Sequence, residues 1–273
     1  MGLNPENKER SNGRSFSCAL ITGGGSGMGL EYARQLAAEG CSLALVSNRP
    51  EELASAAKEL AEAYNNIKVS TLAIDLCEAG AAAKVLEWCD AQGLEPDLLI
   101  NNAGMFFMKY LGQENLAKAS AMVDLHVKAV TELCVMFASR MKAHGAGHIL
   151  NVASMTAWVP APGIAVYSAS KAYLVSFGKS LSYELRPYGV NVTTVCPAAI
   201  DTGLYPLSES QRVWLRRLGL LRSPKWLVRR ALKATKKGRR LLRPGMGNHL
   251  VPFIVSLMPA RIKDCLGMRW INC

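Results

Sequence analysis

The chain has 273 residues, half of them apolar, and a formal net charge of +11. That length accommodates one large α/β domain with a substantial core, and the absence of repeats or biased tracts excludes solenoid and low-complexity architectures. The charge is uneven: residues 1–210 carry 16 Lys/Arg and 20 Asp/Glu, whereas residues 211–273 carry 16 Lys/Arg and the single acid Asp264. The second part therefore needs its own explanation.

Residues 1–14 are polar and read as a frayed end without the apolar segment of a signal peptide. The longest late apolar run, 250–258, is shorter than the roughly 20 residues that span a bilayer. Eight cysteines, at 18, 41, 77, 89, 134, 196, 265 and 273, form no Cys-x-x-Cys pair. They read as buried free thiols of a cytoplasmic protein. No metal site is expected, since the four histidines lack ligand spacing.

The first strand is expected at 17–22. Gly23-Gly-Gly-Ser-Gly-Met-Gly29 follows, then a helical run over 30–39. Strand, glycine turn and helix form the context in which backbone approaches a diphosphate at a helix N-terminus. The second strand, 43–47, ends in Ser47-Asn48-Arg49. A carboxylate there accepts hydrogen bonds from the ribose of NAD. A guanidinium in its place suits a 2′-phosphate, so NADP is favoured over NAD; the competing reading of Arg49 is a solvated loop charge. Helices are expected at 51–64, 79–91 and 117–144, and further strands at 69–74, 97–100 and from Gly147 towards Ser154. The sixth strand, 190–196, leads into Pro197-Ala-Ala-Ile-Asp-Thr202. The alternation predicts a parallel sheet with helices on both faces.

Between the fifth and sixth strands lie Ser154, at the carboxyl end of a strand, and Tyr167 and Lys171, four apart on a helix and so on one face. A phenol with a pKa of about 10 is a poor acid at neutral pH. An ammonium close by favours the phenolate, and such a phenol exchanges a proton with a carbonyl oxygen. A serine hydroxyl can hold the same oxygen as its charge changes. Tyr-x-x-x-Lys alone is a weak signal.

Taken together, Thr22-Gly-Gly-Gly-Ser-Gly-Met-Gly29, Asn101-Asn-Ala-Gly104, Ser154, Tyr167-Ser-Ala-Ser-Lys171 and 197–202 resemble the short-chain dehydrogenases/reductases over roughly residues 15–205, in order and spacing. The general look is that of hydroxysteroid dehydrogenases and 3-oxoacyl reductases. The resemblance implies a Rossmann-type doubly wound sheet, a nicotinamide cofactor and hydride transfer to or from a carbonyl. It implies Tyr167 as general acid/base, Lys171 on the nicotinamide ribose and Ser154 on the substrate oxygen. The cofactor would be lined by Thr22, Gly23, Ser26, Gly27, Met28, Gly29, Asn48, Arg49, Asp75, Leu76, Asn102, Ala103, Gly104, Tyr167, Lys171, Pro197, Ile200 and Thr202, with Thr202 at the carboxamide. A homodimer or tetramer follows from the same resemblance. There are two departures. His126 stands where the family usually has the Asn of a water-linked proton relay; it could hold a water, titrate near neutrality and gate the relay, or be a packed residue with no role. Ala198 stands where the family usually has Gly.

Residues 206–273 are expected to form a basic helical lid on the same domain. In 224–237, Leu227, Val228, Ala231 and Ala234 fall on one stripe and Arg229, Arg230, Lys233, Lys236 and Lys237 towards the other side. Three readings compete: an apolar stripe covering the substrate pocket, an amphipathic element lying on an anionic membrane surface, and nucleic-acid binding, which ranks last because no base-reading module is present. The second ranks slightly above the first. The basic lid could also attract an anionic substrate such as a coenzyme A or carrier-protein thioester. Trp158, Val159, Leu204 and Tyr205 are expected at the rim of an apolar pocket. The expected function is an NADP-preferring oxidoreductase of an apolar 3-oxoacyl or steroid-like carbonyl or alcohol. The alternative is a catalytically idle dinucleotide-binding protein acting through its basic tail.

Overall fold

A computed structural model of the chain describes residues 15–203, 208–217, 221–245, 247–259 and 261–262. Strand β1 (Cys18–Thr22) is buried at every position, as a strand covered on both faces requires. Around it lie β2 (Ser42–Ser47), β3 (Val69–Ala73), β4 (Leu98–Asn101), β5 (Gly147–Val152), β6 (Val190–Val195) and a two-residue β7 (Leu241–Leu242). The order is β3-β2-β1-β4-β5-β6-β7, with every pairing parallel. The chain winds outward from β1 in one direction and then returns to add β4 on its other side. The reversal opens a crevice at the carboxyl ends of β1 and β4, where such sheets bind ligands.

Two apolar layers cover the sheet. On one face, α1 (Gly27–Ala37) contributes Tyr32 and Leu36, and α2 (Pro50–Ala63) contributes Leu53 and Leu60. On the other, α3 (Ala81–Ala91) contributes Val85 and Cys89. The helix expected over 117–144 forms as α4 (Leu116–Val123), a π turn (Asp124–Lys128) and α5 (Ala129–His144). Within the turn the Ala129 N–H reaches the Asp124 carbonyl. One widened turn shifts the phase of the helix, and His126 is carried inside it to a buried position. α6 (Ala165–Leu185) completes this layer with Leu174 and Leu181.

The sheet and its helices continue past residue 205. After α7 (Glu209–Arg217) comes α8 (Pro224–Lys236), started by Pro224 and by Ser223, whose hydroxyl accepts the Trp226 N–H at 3.3 Å. Leu227, Val228, Ala231 and Ala234 are buried, packed on α1 and the sheet. The periodic stripe thus exists, but it is core. It is available neither to a membrane nor to the substrate pocket, which corrects the ranking drawn from amphipathicity alone. The exposed apolar stripe of the tail lies instead on α9 (Gly247–Leu257): Leu250, Phe253, Ile254 and Leu257 face solvent. No helix among the described residues is long and apolar enough to cross a membrane. Six of the cysteines fall in the described part and none is disulfide-bonded. Burial pushes the thiols up, Cys18 to about 11 and Cys89, Cys134 and Cys196 to about 12, which leaves them unreactive.

Candidate active site

The site is assembled at the carboxyl ends of β1, β4, β5 and β6. The glycine turn comes first. Gly29 opens α1 so close to the preceding loop that a Cβ there would lie 1.9 Å from the Gly23 carbonyl oxygen. Gly27 has φ +55°, and its missing Cβ would point at Thr202 from 3.7 Å. The turn therefore faces the loop that follows β6. Thr22 and Asn102 also hold the turn from beneath. The Thr22 hydroxyl accepts the N–H groups of Asn102 and Ala103, both at 3.0 Å. Asn102 Nδ2 donates to the Thr22 carbonyl at 2.9 Å. Met28 packs half-buried against the α1 side of the core.

At the end of β2, Asn48 and Arg49 are exposed. Arg49 donates to Glu52 Oε1 at 2.6 Å. The Glu52 carboxyl also bonds Ser26, and these two contacts, Ser26 foremost, hold it below the usual carboxylate range. Ser26, Arg49 and Glu52 form one cluster beside the turn. Glu52 was not expected from sequence; the only signal was its i+3 spacing from Arg49 on a helix that starts there. Past β3, Asp75 accepts the Cys77 N–H at 2.9 Å and Leu76 is buried.

The catalytic candidates converge on β5 and α6. Ser154 is buried and its hydroxyl accepts the Thr156 N–H at 3.2 Å, starting the short turn Met155–Trp158. Tyr167 is 4% exposed, with the Phe106 ring edge-on at 5.0 Å and the His126 ring at 5.8 Å. The Lys171 ammonium donates to the Val152 carbonyl at the end of β5 at 3.0 Å and lies 5.6 Å from the Tyr167 ring centre. Burial pushes it down from 10.5 to about 8.

His126 joins this group through both ring nitrogens. Nε2 accepts the Met105 N–H at 3.0 Å, which places the proton on Nδ1. Nδ1 lies 3.0 Å from the Ser170 hydroxyl, which in turn donates to the Tyr167 carbonyl at 2.8 Å. Both nitrogens are thus committed to protein groups, which leaves no ring nitrogen for a relay water. Burial, with the Lys171 charge added, drives its pKa well below 6.5, so it does not titrate near neutrality. His126 ties the loop after β4 to the turn of α6 that carries Tyr167. Gly104 packs closely beside it, since a Cβ there would come within 3.1 Å of Nε2.

After β6, Pro197 accepts the Met155 N–H at 2.8 Å and Ile200 is buried, bridged to Arg222. Arg212 of α7 donates to Asp201 at 2.6 Å and to the Thr202 carbonyl at 3.2 Å. Among the described residues no side-chain-bearing residue has positive φ, so Ala198 is accommodated without strain. Trp158 lies under the guanidinium of Arg243, 4.4 Å from its ring centre. Arg243 also donates to the Asn248 carbonyl, and Asn248 Nδ2 donates to the Cys196 carbonyl at 3.0 Å. These two residues pin α9 over the end of β6. Nothing in the sequence marked them, because both act through contacts distant in the chain. Leu204 and Tyr205 lie outside the described residues.

The glycine cradle, the open side of Gly27 towards Thr202, and the buried Asn102 Oδ1, which has no partner among the described residues, fit a dinucleotide laid across the switch point. The fold and its glycine turn define a Rossmann-type dinucleotide-binding domain. The chain belongs to the short-chain dehydrogenase family, whose model matches residues 17–212. It is 31% identical over 231 residues to the very-long-chain 3-oxoacyl-CoA reductase of Podospora anserina, covering 82% of this chain and 64% of that one. It is 31% identical over 191 residues to 17-beta-hydroxysteroid dehydrogenase type 3 of Danio rerio, covering 68% and 61%. The chain thus spans less than two thirds of the length of these curated relatives. Among solved structures it is similar to L-sorbose reductase from Gluconobacter frateurii complexed with NADPH and L-sorbose, with a TM-score of 0.75, 25% identity and coverage of 84% and 92%. A short-chain dehydrogenase from Sphingobium yanoikuyae in complex with NADPH gives 0.74, 26%, 89% and 97%.

The pH dependence follows from these environments. The Lys171 charge is present below pH 8 and lost as pH rises through about 8, whereas His126 stays neutral across the range above its depressed pKa. Carbonyl reduction, measured as kcat/KM, is expected to fall above an apparent pKa near 8 and to show no histidine limb near neutrality. His126→Asn should leave that profile unshifted; a limb near pH 6.5 that the substitution abolishes would restore the gating role.

Proposed function

We propose that the protein is an NADP-preferring oxidoreductase that transfers hydride between the nicotinamide and an apolar carbonyl or alcohol of 3-oxoacyl or steroid-like type. The reading is supported by Tyr167 and Lys171 lying together on α6, with Lys171 tied to the end of β5 two residues before Ser154, whose turn packs on that helix. The names of the similar reductases and hydroxysteroid dehydrogenase support the substrate class.

When bound, NADP(H) supplies or accepts the hydride. In reduction, the Tyr167 hydroxyl gives its proton to the substrate oxygen as the carbonyl becomes an alcohol. Ser154 donates a hydrogen bond to the same oxygen while negative charge develops there. Lys171 would hold the ribose hydroxyls, and its charge would stabilise the phenolate left on Tyr167. Trp158 and the ring of Phe106 supply apolar wall. Preference for NADP rests on Arg49 at the end of β2. Its exposed ion pair with Glu52 is worth little by itself, so a 2′-phosphate can take the guanidinium over.

The place of action is read from α9. Leu250, Phe253, Ile254 and Leu257 recur at the spacing of one helical face, and all are exposed at the end of the fold where Trp158 lies. The helix carries no acid and Arg243 lies beside its start, so the occupant we assign to this stripe is an anionic membrane surface.

Three outcomes are expected. NADPH oxidation should proceed with some member of a panel of apolar ketones and 3-oxoacyl thioesters, and Tyr167→Phe should lower kcat by about 10²- to 10⁴-fold; NADPH binding without any turnover would favour the idle alternative. Arg49→Ala should weaken NADPH about tenfold while sparing NADH, and Glu52→Gln should tighten NADPH; equal effects on both cofactors would remove Arg49 from the 2′-phosphate. Phe253→Ser with Leu257→Ser should abolish co-sedimentation with anionic vesicles, and the membrane assignment fails if wild type does not sediment with them.

A further inference from the structure

A second charged feature lies away from the active site. Because β7 is only two residues long and pairs with Thr194 and Val195, the first part of β6, paired with β5 on its inner side, has no strand among the described residues on its outer edge. The uncovered edge forms one wall of a cleft of about 720 Å³ lined by Ser182, Arg186, Asn191, Lys236, Arg239 and Arg240, with Lys237 beside them. It opens near the start of β6, whereas the active site lies at its end, a strand length of about 20 Å away. Thr194 and Cys196 give their N–H groups to the carbonyls of Arg240 and Leu242. The two-residue alternation of a strand turns the Val192 N–H to the same side, towards the cleft.

Five cations meet here from three separate segments: the end of α6, the end of α8 and the connection into β7. Two helix ends can account for part of that charge, since each carboxyl terminus carries about half a negative charge. Glu39 accounts for another unit, through its 2.6 Å bond to Lys236. Arg240 is also stacked on Tyr183, 4.3 Å from its ring centre. About three positive charges remain uncompensated after these terms. Arg186, Lys237 and Arg239 are exposed and make no ion pair with any described residue. Like charges gathered in a concave site without counter-ions cost stability, and they focus a positive potential there.

We propose that this cleft binds a ligand carrying clustered phosphate groups. Its volume suits a small molecule, two of its arginines present planar forks that match phosphate oxygens, and the strand edge adds a backbone donor. A soluble polyphosphate and a phosphorylated lipid headgroup share this chemistry. The site is independent of the dinucleotide cradle, which lies at the other end of the strands.

The test is calorimetric titration of tripolyphosphate into the full chain with NADPH present, so that the glycine turn is already filled, together with flotation of the protein on vesicles containing a phosphoinositide. Wild type should bind one or both probes at low ionic strength and less tightly as salt is raised. The double variant Arg186→Gln, Arg239→Gln should lose at least about tenfold in that affinity while keeping its NADPH affinity. Its unliganded melting temperature should hold or rise, because repulsion is relieved. Tripolyphosphate binding assigns a soluble ligand; vesicle binding alone, lost in the double variant, assigns a lipid headgroup. Absence of both, an unchanged affinity in the double variant, or a lowered melting temperature that marks the two arginines as structural would overturn the proposal.

Discussion

A buried lysine is the constraint around which the site is arranged. The Lys171 ammonium is held at the end of β5 by the Val152 carbonyl, with no carboxylate of the described residues in ion-pair contact. Its displacement from 10.5 to about 8 corresponds to roughly 3 kcal/mol against the charged form. That penalty is fully present below pH 8 and fades only as pH rises towards 10.5, where the unfolded chain loses the proton too. The rest of the molecule must supply that stability, which the two apolar layers on either face of the sheet do. The strain is local to the chemistry, as expected where a site is organised for charge rather than for packing.

Several features then follow from keeping Lys171 and Tyr167 in register. α6 packs on β6 and on the turn that begins at Ser154, so one helix sets the separation of all three side chains. The π turn before α5 buries His126, and the chain from Met105 through His126 and Ser170 to the Tyr167 carbonyl fixes that helix from the opposite side. A neutral histidine suits the place better than a charged one, because a second buried cation beside Lys171 would add to the same penalty. The tail closes the arrangement from above, with Arg243 on Trp158 and Asn248 on the end of β6.

The active-site end and the basic cleft occupy opposite ends of the same sheet and have opposite characters. One is built from carboxyl ends of strands. The other is polar and cationic, and exists because the last strand is too short to cover its neighbour. Both ends include residues beyond 205, so the tail is part of the fold: α8 supplies core, β7 supplies a partial edge, and α9 supplies an exposed apolar face.

Much of the fold was legible in the sequence. Alternating apolar runs and helical periods gave six of the strands and their helices, because the buried central strands and the one buried face of each helix leave a local mark in the sequence. The glycine turn was equally legible, and residue type with ordered spacing singled out Ser154, Tyr167 and Lys171 as the candidates. What the tertiary structure decided were the matters of partner choice. The stripe on α8 could have faced lipid, substrate or core, and periodicity cannot say which, since all three reward the same pattern. His126 could have titrated or been buried, and the answer came from a widened turn and from Met105 and Ser170. Arg49 finds Glu52 and Ser26, and Trp158 finds Arg243. Such pairings join segments far apart in the chain, so their energies leave no period or spacing for a sequence to display.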